Sequence, residues 1–369
     1  MHILHIYKDY YPVLGGIENH VRLLAEAQAA RGHTVTVLVT GPTRQTTVVD
    51  QGSVRVIFAG RLATVASTPL SLALPLELRR LRPDIAHLHL PYPVGDVAQQ
   101  LFGRARRTVI SYHSDIVRQR GWLRLYGPVL RRALRTADAI LATSPRYVET
   151  SPYLAPLAAR CTVVPYGIDA DRFATADPAA VAAIRARHPG PLVLFVGQLR
   201  YYKGVEYLLQ AMAQLPATAL IVGGDSTRRM GELNGLAQSL GVAERVRFLG
   251  PKDQELPAYY HASDVFVLPS IERSEAFAIV QLEAMAAGRP VVSCDVVTGV
   301  AWVNQHEVTG LVVPPRDAPA LSAALNRLLA DPRLRARMGA AGRERVFSAF
   351  TLARMLAAIE AVYAAVLGR

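Results

Sequence analysis

The amino-acid sequence predicts an α/β protein built from two Rossmann-like, doubly wound domains with a cleft between them. Short β-branched runs alternate with longer helical patterns along all 369 residues, and this alternation pauses once, near the middle of the chain. Alternating strands and helices are typical of parallel sheets covered on both faces. Ligands of such sheets usually bind beyond the carboxyl ends of the strands.

The individual elements follow from hydrophobic periodicity. In the first half, the predicted strands are 2–7, 33–39, 54–58, 84–90, 108–112, 138–143 and 161–165. A helix is predicted at 17–30, where Ile17, Val21, Leu24 and Ala25 share one face. In the second half, the predicted strands are 192–197, 218–223, 245–249, 264–268 and 290–294.

The pause in the pattern predicts the domain boundary. An irregular segment at 164–173 is followed by a stretch with proline and alanine that ends at Pro191, where a new strand starts. The predicted division is an N-terminal domain over 1–165, a linker over 166–190 and a C-terminal domain over 191–350. The final helix, within 351–369, can pack on either domain, including a return to the first.

Composition excludes several classes of protein. A hydrophobic fraction of 51% and a charged fraction of 19% are those of a water-soluble globular protein. Cys161 and Cys294 are too few for a disulfide framework, which favours a reducing cytoplasm. The N-terminus lacks the features of a signal peptide, and no apolar stretch reaches the ~20 residues that cross a bilayer.

The net charge of +12 is concentrated in the first half. Residues 1–165 hold 20 Lys/Arg and 10 Asp/Glu, a balance of +10, which leaves +2 for the remainder. Nine arginines and a single acid, Asp115, lie within 104–135. Such a field attracts phosphates, nucleic acid or an acidic membrane surface.

The basic segment 117–135 combines arginines with apolar residues, including Trp122. A basic helix with an apolar face can lie in a membrane interface, here an anionic one on the cytoplasmic side. The alternative is an ordinary packing helix with an arginine-rich outer face.

Two glycine-containing turns follow predicted strands. Gly15 and Gly16 open the helix at 17–30, where backbone amides attract phosphate or carboxylate. The segment 197–204, GQLRYYKG, carries Arg200 and Lys203, two cations that suit a diphosphate. For both turns the structural alternative, a tight turn or a solvated basic loop, stays open.

A third segment pairs two glutamates. Glu275 lies in a loop after a strand, and Glu283 lies on the helix predicted to begin near Phe277. The amides of Ala278, Ile279 and Val280 are donors at the positive end of that helix. Glu283 can accept hydrogen bonds from a diol such as ribose, and Glu275 can reach another part of the same ligand.

Histidines and aspartates supply further candidates. His113 lies at the carboxyl end of a strand, where a functional role and a structural one are equally expected. His87 and His89 share one face of a strand, but no acid or cysteine partner is placed beside them. Asp169 and Asp171 lie in the interdomain connection, where an aspartate turn is expected. No metal site is predicted.

Taken together, these segments resemble family 4 of the retaining glycosyltransferases, which have the two-Rossmann GT-B fold. The resemblance covers nearly the whole chain, and its most specific piece is the E-x7-E segment within 274–292. The supporting pieces, in order, are GGIENHV (15–21), VPYGID (164–169), GQLRYYKG (197–204) and TGLVVPP (309–315).

The resemblance implies roles for individual residues. Gly16 is expected near the donor phosphates, His113 near the donor sugar, Lys203 at the diphosphate, Glu275 at the sugar hydroxyls and Glu283 at the ribose. His113, Arg200, Lys203 and Glu275 are the predicted catalytic residues. The predicted donor-binding set is Gly15, Gly16, Gly197, Gln198, Arg200, Lys203, Gly223, Lys252, Glu275, Phe277, Ala278, Ile279, Val280 and Glu283. No cofactor or metal is implied beyond the nucleotide-diphosphate sugar.

The chain departs from the family pattern at three places. Gln198 replaces an arginine, and Arg200 is expected to substitute for it if the chain there is extended. Ala278 replaces a frequent glycine, so its backbone is expected to avoid positive φ. The turn at 223–226 replaces one richer in glycine and proline.

The predicted reaction is hexosyl transfer from a GDP-mannose or UDP-glucose type donor to a glycan or lipid-linked acceptor of an envelope polysaccharide. With no nucleophile evident, same-face attack is expected, with the leaving phosphate taking the acceptor proton. The alternatives are another GT-B enzyme, such as a 2-epimerase or a phosphorylase, and a nucleic-acid-binding protein. The last leaves 275–283 unexplained and lacks a recognition motif.

Overall fold

A computed structural model describes residues 1–13, 15–65, 68–117, 120–224 and 226–368. The chain forms two compact units. The N-terminal unit comprises Met1–Pro165 and Met355–Arg369, and the C-terminal unit comprises Tyr166–Arg354. Residues 166–190 therefore fold as part of the C-terminal unit.

The N-terminal unit is built on a sheet of eight strands in the order β10-β9-β8-β7-β1-β2-β4-β3. All neighbouring pairs are parallel except β3 and β4. The strands are β1 (His2–Ile6), β2 (Thr34–Thr40), β3 (Thr47–Gln51), β4 (Val54–Ala59), β7 (Ile85–Leu90), β8 (Arg107–Tyr112), β9 (Ala139–Ala142) and β10 (Cys161–Val163), with a separate hairpin of β5 (Ala63–Val65) and β6 (Thr68–Leu70).

Helices cover this sheet and bury its central strands. All six residues of β7 are buried, as expected for a parallel strand covered on both faces. The helices are α1 (Gly16–Ala30), α2 (Ala73–Arg80), α3 (Pro93–Phe102), α4 (Arg120–Thr136), α5 (Pro145–Thr150) and α15 (Leu352–Leu367), the last belonging to this unit from Met355 onward.

The C-terminal unit contains a fully parallel sheet of six strands in the order β13-β12-β11-β14-β15-β16. The strands are β11 (Leu192–Val196), β12 (Thr218–Val222), β13 (Val246–Gly250), β14 (Val265–Leu268), β15 (Val291–Cys294) and β16 (Gly310–Val313). The helices are α6 (Asp171–Ala174), α7 (Pro178–Arg187), α8 (Val205–Met212), α9 (Thr227–Ser239), α10 (Leu256–Ala262), α11 (Ile279–Ala286), α12 (Val300–Val303), α13 (Ala318–Ala330) and α14 (Pro332–Ala349).

The twelve predicted strands are all present, with ends within two residues of those expected. The prediction missed β3, β5, β6 and β16. Strand β3 pairs antiparallel at the sheet edge, and Val48 and Val49 are exposed, so its sequence lacks the buried run that marked the other strands. Within the described residues, no helix has both the length and the apolar character needed to cross a membrane.

Candidate functional site

Two glycines bring the carboxyl ends of β11 and β12 together in the C-terminal unit. The Gly197 amide donates to the Val222 carbonyl (2.9 Å). Gly223 has φ 137°, and a Cβ there would lie 1.9 Å from the Gly197 oxygen. Only glycine fits so close an approach of two backbones. The predicted residues Gly197 and Gly223 are therefore neighbours at one edge of the sheet.

Gln198 and Arg200 project on the same side of the segment that follows β11. Both side chains are exposed and Leu199 between them is buried. The Arg200 backbone is extended, and its Nε donates to Gln198 Oε1 (2.7 Å). The Arg200 amide also donates to the Gln198 carbonyl (2.8 Å), so the backbone turns at Leu199 and is not extended there. That Arg200 takes the place of the residue at 198 stays a prediction.

Lys203 and Glu275 form a buried ion pair. The Lys203 Nζ lies 2.6 Å from Glu275 Oε2, and both side chains are about nine-tenths buried, with relative exposures of 11% and 9%. Ser270, just beyond β14, donates from Oγ to the same carboxylate oxygen (2.9 Å). Burial disfavours the charged lysine, but attraction to Glu275 outweighs it and raises the pKa of Lys203. Lys203 is therefore held in its charged form.

Tertiary contacts of the backbone fix this pair. Lys203 ends a short 3-10 turn, Tyr201–Lys203, which is followed by Gly204 with φ 66°. A Cβ at Gly204 would lie 2.1 Å from the Pro269 carbonyl oxygen. The Ile271 amide donates to the Tyr202 carbonyl (2.8 Å), which ties the turn after β11 to the loop after β14.

Helix α11 begins two residues later than predicted, and its N-cap corrects an expectation. Ala278 adopts φ 64°, in the left-handed region, so the prediction that it avoids positive φ is wrong. The surroundings hold it there. Phe277 before it is fully buried, and Gln281 Nε2 donates back to the Phe277 carbonyl (2.9 Å). Ile279 and Val280 form the half-buried first turn, whose amides have no partner within the helix.

Replacing Ala278 with glycine tests this strain. A left-handed alanine costs about 1–2 kcal/mol, which glycine avoids. Ala284→Gly is the matched control, because Ala284 is a buried alanine inside the same helix. We expect urea unfolding to show Ala278→Gly more stable than Ala284→Gly by about 2–3 kcal/mol, of which about 1 kcal/mol is the cost of glycine inside a helix. A difference of about 1 kcal/mol or less would contradict a strained N-cap.

Glu283 and Lys252 lie on elements that flank this edge. Tyr260 of α10 donates its hydroxyl to Glu283 Oε2 (2.7 Å), and burial raises the pKa of Glu283. Lys252, just after β13, pairs with Glu255 at 2.9 Å, and this contact raises the pKa of Lys252. Sequence reasoning missed the partners Ser270 and Tyr260, since only the fold brings them to these carboxylates.

In the N-terminal unit, Gly15 is the extended N-cap of α1 and Gly16 its first residue. A Cβ at Gly15 would lie 2.2 Å from Glu18 Oε2, whereas Gly16 has nothing within 4 Å of that position. Glu18 also lies 3.7 Å from the Nζ of Lys8, which follows β1. The sequence analysis did not predict this pair. The one signal that points to Lys8 is the rarity of lysine, which occurs only three times in the chain.

His113 belongs to a cluster that the sequence did not predict. It follows β8, is 3% exposed, and makes a hydrogen bond between its Nε2 and His89 Nδ1 (2.9 Å). His89 Nε2 in turn contacts His5 Nδ1 (2.9 Å). His20 packs edge-on against His113, with ring centres 5.5 Å apart. Register explains part of the cluster, because His5 and His87 are paired on adjacent parallel strands.

These histidines also form the groups that could hold a metal ion. The sets His5–His87–His89 and His20–His89–His113 each place one nitrogen per ring within 4.8 Å of the others. However, the nitrogens of the His5–His89 and His89–His113 pairs already bond to each other at 2.9 Å. Two nitrogens bound to one tetrahedral zinc ion would stand about 3.3 Å apart, with their lone pairs converging on the ion and not on each other. The geometry therefore favours imidazole hydrogen bonds, and the metal-free expectation stays a prediction.

Family profiles match both halves of the chain. The profile described as Glycosyltransferase Family 4 matches residues 14–172, and that described as Glycosyl transferases group 1 matches residues 179–345. Between them they contain every residue of the predicted catalytic and donor-binding sets.

Individual proteins match over the full length. The chain is 35% identical to the O-antigen chain mannosyltransferase C of Escherichia coli over 100% of this chain and 99% of that protein. It is 36% identical to the D-rhamnosyltransferase WbpZ of Pseudomonas aeruginosa, covering 95% and 92% of the two chains. Among solved structures, sucrose-phosphate synthase of Thermosynechococcus elongatus superposes with a TM-score of 0.83 at 26% identity, covering 100% and 99%.

Proposed function

Because the chain belongs to glycosyltransferase family 4 and has the GT-B fold, we propose that it moves a hexosyl group from a nucleoside-diphosphate sugar to a glycan or lipid-linked acceptor of a surface polysaccharide. The observation that carries the proposal is the buried Lys203–Glu275 pair beside the start of α11. A fixed cation next to free helix amides suits a diphosphate, and a carboxylate suits sugar hydroxyls.

The proposed reaction retains the anomeric configuration. The acceptor hydroxyl oxygen bonds to C1 on the face from which the diphosphate departs. The bond from C1 to the phosphate oxygen breaks with its electron pair, and that oxygen takes the acceptor proton. Lys203, Arg200 and the first-turn amides of α11 would stabilise the negative charge that develops on the diphosphate. We propose that these groups suffice without a metal ion, and that His113 contacts the donor sugar.

Relatives favour a GDP-linked donor. The full-length relatives are named as a mannosyltransferase and a D-rhamnosyltransferase. A third relative is 40% identical over 65% of each chain and is named as a GDP-mannose-dependent mannosyltransferase of Mycolicibacterium smegmatis. Between the two donor types left open by the sequence, we therefore propose GDP-mannose or a close analogue over UDP-glucose.

A thermal-shift panel tests the donor. A donor present at about 100 times its Kd is expected to stabilise the protein by about 2.7 kcal/mol, or roughly 5 °C in Tm. We expect GDP-mannose to produce this shift, UDP-glucose to produce less, and Glu283→Ala to abolish it. The control is Glu244→Ala, which removes an exposed glutamate of the same unit and should leave the shift intact. A panel in which no nucleotide sugar shifts Tm would contradict the proposal.

Turnover assays separate the remaining alternatives. A transferase releases GDP only with an acceptor, whereas a 2-epimerase releases nucleotide without one and a phosphorylase requires inorganic phosphate. Nuclear magnetic resonance of the product should show the anomeric configuration of the donor. Turnover is expected to persist in EDTA, and strict dependence on magnesium or manganese would refute the metal-free part of the mechanism.

We also propose that the N-terminal unit binds anionic membrane surfaces. The α2–α4 surface, defined here by Leu72, Leu76, Leu101, Phe102 and Leu125, exposes large apolar side chains on three helices, with Leu72 and Leu125 74% and 73% exposed. The Arg79 guanidinium lies over the Phe102 ring, 5.9 Å from its centre. Exposed apolar side chains with an arginine beside them suit the headgroup region of an anionic membrane. The protein would then act at the cytoplasmic face. Arg118 and Gln119 lie outside the described residues.

Vesicle sedimentation tests membrane binding. We expect the protein to sediment with vesicles that contain anionic lipid and to be released from them by salt. It should not sediment with zwitterionic vesicles. Leu101→Asp with Leu125→Asp should weaken binding more than tenfold, since each leucine buries an apolar side chain worth about 1.5–3 kcal/mol. Val48→Asp with Val49→Asp, at an exposed edge strand, is the matched control. Equal binding by both double variants would refute the assignment of this surface.

A further inference from the structure

A chain of hydrogen bonds runs from His113 into the core of the N-terminal unit. The His113–His89 ring centres lie 5.2 Å apart with planes 2° from parallel, and the His5–His89 centres also lie 5.2 Å apart. A ring nitrogen lies about 1.15 Å from its ring centre, so a 2.9 Å nitrogen–nitrogen contact gives about 5.2 Å only when it is collinear. Both contacts are therefore linear N–H···N hydrogen bonds.

Such a chain has a direction. A neutral imidazole has one donor nitrogen and one acceptor nitrogen. Burial lowers the pKa of His5, His89 and His113, so all three rings are neutral near pH 7. Fixing the donor nitrogen of one ring consequently fixes the donor nitrogens of the other two.

Gln28 fixes that direction. It lies on α1, is fully buried, and its Oε1 accepts a hydrogen bond from His5 Nε2 (2.7 Å). The Gln28 amide nitrogen faces the Tyr363 hydroxyl, which is also bonded to His87 Nδ1. With its Nε2 as the donor, His5 accepts at Nδ1 from His89 Nε2. His89 then accepts at Nδ1 from His113 Nε2.

We propose that Gln28, His5 and His89 are positioning residues that hold His113 as the tautomer with hydrogen on Nε2 and a lone pair on Nδ1. In this tautomer Nδ1 can only accept a hydrogen bond, so a ligand group that contacts it must be a donor, such as a sugar hydroxyl and not a phosphate oxygen. The inference rests on the proposed function only in assigning the donor sugar as that ligand.

The tautomer can be measured without any substrate. In protein labelled with 15N-histidine, long-range proton–nitrogen correlation distinguishes a protonated nitrogen from an unprotonated one. We expect His113, identified by loss of its signals in His113→Gln, to show a protonated Nε2 and an unprotonated Nδ1 near pH 7.5. Gln28→Glu retains an acceptor for His5 and should preserve this state. Gln28→Met removes the acceptor and should give a mixture of tautomers at His113.

Kinetics test the consequence with a matched control. With the donor identified by the thermal-shift panel, Gln28→Met should lower kcat/KM about tenfold, which is the size of one lost neutral hydrogen bond, and Gln28→Glu should recover most of it. Gln99→Met removes another buried glutamine of the same unit, outside this chain of histidines. It should cost similar stability while leaving the His113 signals and kcat/KM unchanged.

Two results would overturn the proposal. The first is a native His113 with its hydrogen on Nδ1, which would exchange donor and acceptor in the hydrogen bonds from His113 to His89 and from His89 to His5. The second is a Gln28→Met variant whose His113 signals match those of the unaltered protein. A correct tautomer in a protein that binds no nucleotide sugar would instead refute the proposed function and leave the positioning of His113 standing.

Discussion

Replacing Lys203 with methionine is expected to lower kcat by about 10²–10³-fold, because a preorganised positive charge at the departing diphosphate would be lost. The same change should destabilise the C-terminal unit by about 3–5 kcal/mol. The reason is that the Glu275 carboxyl group, 9% exposed and 2.6 Å from Lys203 Nζ, would stay buried with no cation beside it. Steady-state kinetics and urea unfolding measure the two effects separately.

The double variant Lys203→Met with Glu275→Gln separates stability from catalysis. It removes both buried charges, and the Ser270 hydroxyl can still donate to the new amide oxygen. We expect stability to recover to within about 1 kcal/mol while turnover stays low. Lys252→Met serves as the control for stability alone, because the Lys252–Glu255 pair is more exposed and should cost less than about 1 kcal/mol. Recovered turnover in the double variant would contradict a catalytic Lys203.

Mild acid is expected to unfold the N-terminal unit selectively. Burial lowers the pKa of His5 to about 4, and burial with repulsion from His5 lowers the pKa of His20 to about 3. Burial, followed by repulsion between the rings, also lowers the pKa of His87, His89 and His113 well below the usual value. The native unit therefore keeps five neutral histidines at a pH where the unfolded chain binds protons.

The sign and size follow from proton linkage. Between the folded pKa values and 6.5 the unfolded state binds more protons, so stability is full above pH 6.5 and falls as the pH drops. At pH 5.5 each buried histidine costs about 1.4 kcal/mol, or about 7 kcal/mol for five. Burial raises the pKa of Asp96 to about 6, so its protonation in the folded state offsets about 1 kcal/mol. A net loss of about 6 kcal/mol is comparable with the whole stability of a domain.

Amide hydrogen exchange at pH 7.5 and 5.5, corrected for intrinsic rates, measures this loss in each unit. The C-terminal unit is the internal comparison, because burial lowers the pKa of two of its histidines, His188 and His261, against five in the N-terminal cluster. We expect protection to fall steeply in the N-terminal unit and clearly less in the C-terminal one. Unchanged protection of β1, β7 and β8 at pH 5.5 would contradict a neutral buried cluster.

Local patterns sufficed for much of the fold. A buried parallel strand such as 192–196 is a continuous apolar run, which a short window of sequence detects. The exposed edge strand 47–51 has no such run, so its position depended on pairing with 54–59. The left-handed backbone of Ala278 could not be predicted from the local sequence either. Alanine intrinsically disfavours this conformation, and only the packing around Ala278 enforces it.

By itself the sequence determined the fold class, the family and the identity of the charged and glycine residues at the strand ends. Each of these depends on short motifs of consecutive residues, which can be recognised without the structure. Only the tertiary structure decided which groups touch. Lys203 meets Glu275 from 72 positions away, and His5 meets His89 from 84. Contacts between such distant residues depend on how parallel strands are ordered and on the register of their pairing. Local hydrophobic periodicity fixes neither the strand order nor the register. The ion pair and the hydrogen bonds between histidines form only once both are in place.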